Sequence, residues 1–191
     1  MLNIVIFGAP GSGKGTQSQK LIDKYHLMHI STGDILRSEI ENRTELGKHA
    51  AKFMNRGKLV PDEMVIDILH ELFIHKPAKV GYILDGFPRT LEQGRALDDM
   101  LQRENENIKV VLSLEVDEAV LTERLIKRGE ISGRNDDTAE TIKSRLQVYN
   151  RQTAPLKEYY ATQDKLVNIN GMGTIDEIFT RIEKVVDRLD Y

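Results

Sequence analysis

The stretch Gly8-Ala9-Pro10-Gly11-Ser12-Gly13-Lys14-Gly15-Thr16 constrains this chain more than any other. It follows the apolar run Ile4-Val5-Ile6-Phe7 and leads into a helix-like pattern over residues 16–25. Glycines let the backbone turn successive N–H groups inward around an anion. The helix that follows aims its positive end at the same point. Lys14 then stands where it can reach the β- and γ-phosphates of a nucleotide. Strand, glycine loop, lysine and helix in that order turn a short match into a phosphate-binding loop. The stretch departs from the strict pattern in one respect. That pattern places Ser or Thr directly after the lysine, as a Mg²⁺ ligand; here Gly15 intervenes and the hydroxyl comes at Thr16.

At 191 residues one domain with small insertions is expected, long enough to bury a proper core. A formal net charge of −3 gives no reason to expect nucleic acid or an anionic membrane as partner. The chain has no cysteine, which excludes disulfides and thiolate zinc sites and fits a reducing compartment. The amino end lacks the basic start of a signal peptide, and no apolar run approaches a membrane span. A cytoplasmic protein is the resulting expectation.

Strand-length apolar runs occur at 2–7, 28–30, 80–84, 108–114 and 166–169, with helical patterns between them. After the second run come 34–41 and 45–56, the latter stopped by Gly57. Pro61 suits the first position of the next helix. The pattern over 117–128 ends at Gly129. Near the carboxyl end Thr174 and Glu177 form a capping box ahead of a clear apolar stripe. Short apolar strands alternating with helices predict a parallel sheet covered on both faces. Ligands of such sheets sit at the carboxyl ends of the strands.

Further polar motifs fall at those ends. Asp85-Gly86-Phe87-Pro88-Arg89 follows the run Tyr82-Ile83-Leu84, so Asp85 emerges where an acid would hold Mg²⁺, directly or through water. Ser31-Thr32-Gly33-Asp34, with Arg37 three residues on, follows the second run. Arg124 and Arg128 lie four apart on one helix face, Ser132-Gly133-Arg134-Asn135-Asp136-Asp137 follows, and Arg145 lies on the next helix. Lysine would serve a merely solvated face as well. Phosphoryl transfer favours arginine, whose planar fork grips phosphate oxygens in pairs. Asp136 and Asp137 can either position these arginines or cap the helix from Thr138.

With these residues in view, the chain resembles the adenylate kinases in their short-lid form. Gly-x-Pro-Gly-x-Gly-Lys-Gly-Thr, Ser-Thr-Gly-Asp-x-x-Arg, Asp-Gly-Phe-Pro-Arg and Ser-Gly-Arg-x-Asp-Asp occur in the family's order. Segments from Gly8 to Gly173 match, essentially the whole chain. The resemblance implies an α/β phosphate-loop fold in three layers, a five-stranded parallel sheet flanked by helices. It also implies a core of 1–30, 61–126 and 138–191, with two mobile insertions: an acceptor-nucleotide arm at 31–60 and a short lid at 127–137. ATP phosphates would lie on Gly11, Ser12, Gly13, Lys14, Gly15 and Thr16, with Arg124 and Arg128 on the donor side and Gly173 near the adenine. AMP would sit among Thr32, Arg37, Lys58, Leu59, Val60, Gly86, Phe87, Pro88, Arg89 and Gln93. Arg134 and Arg145 would bridge toward the transferred group.

The acceptor base follows from chemistry as well. Gln93 both donates and accepts, which suits the N1 and 6-amino edge of adenine. Related pyrimidine-nucleotide kinases usually carry Ala where Thr32 stands and Asn-rich sequence after the Pro-Arg pair. A guanine-reading switch needs Asn-Lys-x-Asp, and Asn55-Arg56-Gly57-Lys58 is not that motif. A non-catalytic module would have lost some of Lys14, Asp85, Arg89 and Arg128. The reading is therefore Mg²⁺-dependent transfer from ATP to AMP, and a monomer is expected because no stretch reads as an extra apolar surface stripe. No zinc site is expected in the lid, because ligands are lacking.

Overall fold

The computed structural model describes residues 1–75, 77–132 and 136–190. The chain runs β1 (Ile4–Gly8), α1 (Lys14–Tyr25), β2 (Met28–Ser31), α2 (Thr32–Glu41), α3 (Glu45–Met54) and α4 (Asp62–His75). It continues through β3 (Tyr82–Asp85), α5 (Leu91–Arg103), β4 (Val110–Glu115), α6 (Glu118–Ser132) and α7 (Ala139–Val148). A π-helical turn (Tyr149–Thr153), α8 (Leu156–Ala161), β5 (Leu166–Asn170) and α9 (Ile175–Val186) complete it. All pairings in the five-stranded sheet are parallel, in the order β2-β3-β1-β4-β5.

The sheet is apolar on both faces because both are covered. Along β1 the side chains alternate with period two. Val5 and Phe7 enter a core with Leu84, Val111, Leu97 and Tyr160. Ile4 and Ile6 enter the opposite core with Leu112, Leu21, Ile178 and Ile182. Each of these buried aliphatic side chains contributes about 1.5–3 kcal/mol. The α9 stripe supplies Ile178, Ile182 and Val186 to the second core, and its capping box forms as the sequence predicts. No helix among the described residues is long and apolar enough to cross a membrane.

Two boundaries differ from the sequence reading. The helix after Pro61 begins at Asp62. The helix expected to stop at Gly129 continues to Ser132. Gly129 is a point of close approach: a β-carbon there would lie 2.9 Å from the backbone oxygen of Asp137.

Register sets the position of the site. Ile6 is abreast of Asp85, and Asp85 of Ser31, so the ends of β1, β3 and β2 deliver their loops side by side. β1 is central: the chain lays β2 and β3 on one side of it, then crosses to lay β4 and β5 on the other. Its carboxyl end is the crevice where ligands of open parallel sheets bind.

Candidate active site

The phosphate loop joins β1 to α1 through Gly13, which has φ 94°, a left-handed conformation that favours glycine. No side chain caps the amino end of α1, and its first turn holds no acid. Its leading N–H groups and dipole are left for an anion. Ser12 Oγ is buried without a hydrogen-bond partner beside them. Lys14 folds back so that Nζ donates to the carbonyls of Gly8 at 2.7 Å and Ala9 at 3.1 Å. Burial drives its pKa down to about 8; Asp85 opposes this, and Arg89, Arg145 and Arg128 add to it. Gly15 and Thr16 are exposed at the mouth of the loop.

A cavity opens from Lys14 along the ends of β1 and β3. Thr32, Arg37, Lys58, Leu59, Val60, Gly86, Pro88, Arg89, Gln93 and Arg145 all line it, as does Lys14. Phe87, placed by sequence at this site, instead turns its ring into the core. Thr32 Oγ1 donates to Gly86 O at 2.8 Å, and Arg89 Nε donates to the same oxygen at 2.8 Å. Burial lowers the Arg89 pKa to about 10, with Arg145 adding to the effect. Thr153, at the end of the π-helical turn, donates from Oγ1 to Arg89 O at 2.9 Å.

Arg128, Arg145 and Arg37 lean on three aspartates. Arg128 grips Asp137 with both prongs, Nε to Oδ2 at 2.6 Å and Nη2 to Oδ1 at 2.8 Å. Burial pulls the Arg128 pKa down, but its hydrogen bonds and attraction to Asp137 leave it raised. Arg145 meets Asp136 at 3.1 Å and also bonds Asp137. Burial still leaves its pKa lowered. Arg37 bonds Asp34 and lies 3.9 Å from Asp136. Asp136 and Asp137 thus position arginines, and Thr138 caps α7 with Thr141. Arg124 is half-buried on α6 and Gly173 lies in the loop from β5 to α9; neither lines the cavity. Arg134, and part of the predicted lid, lie outside the described residues.

Asp85 sits at the end of β3, its Oδ2 3.8 Å from where a β-carbon on Gly15 would stand. Among the described residues no group of three or more His, Asp or Glu could hold a metal ion by itself. One carboxylate beside a phosphate cradle is the donor set of a Mg²⁺ that arrives with its nucleotide and keeps its waters. The residues present fit that ion.

Sequence reasoning missed Tyr149 and Thr153 of the π-helical turn, and Asp62 at the start of α4. No local pattern marks them; each meets the site only through the fold.

A five-stranded parallel sheet with a lysine-bearing glycine loop at its central strand defines a phosphate-loop kinase fold. The family model described as Adenylate kinase matches residues 6–165. An adenylate kinase of Bacteroides fragilis is 57% identical over 189 residues, covering 99% of this chain and 100% of the relative. One of Parabacteroides distasonis is 54% identical with the same coverage. One of Porphyromonas gingivalis is 50% identical over 188 residues, covering 98% and 97%. The chain belongs to the adenylate kinase family. It is a nucleotide-binding transferase that reversibly moves the terminal phosphoryl group of ATP to AMP, giving two ADP and balancing the adenine nucleotides.

Proposed function

We propose the following division of labour among its residues. ATP places its phosphates on Gly11, Ser12, Gly13, Lys14, Gly15 and Thr16, with Arg124 and Arg128 on the donor side and Gly173 near the adenine. AMP occupies the cavity, its phosphate between Arg37 and Arg89 and its base against Gln93, Thr32, Gly86 and the turn Lys58-Leu59-Val60. Arg145 and Arg134 span the gap. Asp85 would hold Mg²⁺ through water, where the ion offsets charge on the donor phosphates. Residues 31–60 would act as the acceptor arm and 127–137 as the lid, closing to keep water from the donor.

The attacking AMP oxygen is already ionised at neutral pH. No general base is needed, and none is assigned. The protein aligns the two phosphates and spreads the transition-state charge over Lys14, Arg89, Arg145, Arg128, Arg124 and Arg134. The observation that carries this reading is that Lys14, Arg89, Arg145 and Gln93 line one cavity. Absence of cysteine supports a cytoplasmic setting, and the lack of any stretch that reads as an extra apolar surface stripe supports a monomer.

The test is a coupled assay offering AMP, UMP and CMP side by side, with Arg89→Lys alongside wild type. AMP should be strongly preferred. Arg89→Lys should lose about 10²–10³ in kcat, because one ammonium cannot reproduce a guanidinium fork. Near-normal kinetics for Arg89→Lys would remove the arginine role.

A further inference from the structure

Gln93 is 1% exposed, yet it lines the cavity. Two partners of fixed polarity hold its amide. The backbone N–H of Arg89 can only donate, and it donates to Oε1 at 2.8 Å. The Asp62 carboxylate can only accept, and Oδ1 receives Nε2–H at 2.7 Å. The other Asp62 oxygen accepts from Thr90 Oγ1 at 2.8 Å, and that hydroxyl accepts from the backbone N–H of Gln93 at 3.2 Å. Turning the amide over would set N–H against N–H and oxygen against oxygen. A primary amide offers two N–H groups and two lone pairs. Here one of each is taken, so one N–H and one lone pair remain, in a fixed order.

We propose that Asp62 is a positioning residue for acceptor recognition: it locks the Gln93 amide in the orientation that reads a 6-aminopurine and refuses a 6-oxopurine. A 6-aminopurine presents an acceptor at N1 and a donor at the 6-position. A 6-oxopurine presents a donor at N1 and an acceptor at the 6-position, so it would need the reversed amide. Asp62 stands outside the cavity wall and acts only through Gln93 and Thr90. The inference rests on the reading that Gln93 faces the acceptor base.

Asp62→Ala, Asp62→Leu and Asp62→Asn are compared with wild type using AMP and IMP as acceptors at saturating ATP. Asp62→Ala should raise the AMP KM about tenfold and narrow the AMP-to-IMP ratio of kcat/KM by a similar factor, leaving the ATP KM unchanged. Asp62→Leu removes the acceptor while filling the volume, and carries the comparison if the alanine variant does not fold. Asp62→Asn keeps an oxygen for Nε2–H and should restore the ratio to within about threefold of wild type. In a Gln93→Ala background, Asp62→Ala should add no further change in AMP KM. A folded Asp62→Ala or Asp62→Leu enzyme with the wild-type ratio overturns the inference, as does an equal effect with Gln93 already removed. If Gln93→Ala alone leaves the AMP KM unchanged, the base contact itself is wrong and the inference falls with it.

Discussion

Lys14 keeps a charge in a place that penalises it. Its pKa of about 8 lies below the ordinary lysine value of 10.5, chiefly through burial. Below pH 8 the ammonium is present in both the folded and unfolded chain, and the fold bears the desolvation. Between about 8 and 10.5 the unfolded chain holds a proton that the folded one has lost, so this group's contribution to stability rises with pH across that window. Catalysis has the opposite sign under the proposed role of Lys14, in which the ammonium holds the donor phosphates. The kcat/KM for ATP should therefore fall as pH passes 8, while kcat stays flat further up, because bound phosphates lift the lysine again. A pH profile with kcat/KM level to pH 9.5 would contradict this. Lys14 was legible in the sequence because its loop is contiguous. Asp62 and Gln93 were not legible as a pair: they lie 31 positions apart on different helices, and no periodicity joins them.

The sequence showed where strands alternate with helices, because buried strands write continuous apolar runs and α9 writes a stripe. It failed at α6, where a glycine inside a helix looks the same as one that ends it. Gly129 costs that helix about 1 kcal/mol relative to alanine. The structure keeps it because the Asp137 backbone oxygen crosses there. Gly129→Ala should therefore gain helix propensity yet push Asp137 aside, and with it the Arg128 fork and Arg145. The expected result is a melting temperature near wild type with kcat down about tenfold or more, read from thermal melts beside steady-state kinetics. Unchanged kcat would mean that this crossing tolerates a methyl group. The short elements after α7 were invisible for another reason. The π-helical turn holds one apolar residue, Tyr149, and α8, although it buries Leu156 and Tyr160, is too short at six residues to write a helical period; contacts such as Thr153 with Arg89 tie the turn to the site.

At the scale of the molecule, the cavity and the phosphate loop meet at Lys14, so under the proposed assignment one ligand long enough should span both. A dinucleoside polyphosphate joining two adenosines should raise the melting temperature more than saturating ATP or AMP alone, since tethering makes the second contact intramolecular. An increase no greater than that given by ATP would mean room for a single nucleotide. The aspartates that hold Arg128, Arg145 and Arg37 have a consequence for selectivity in a crowded solution. The guanidiniums already have internal counter-ions, so they are poor bait for stray polyanions. A visitor must compete with tethered carboxylates at several points at once, so two nucleotides seated as proposed should be favoured over a passing RNA tail or a lone phosphate.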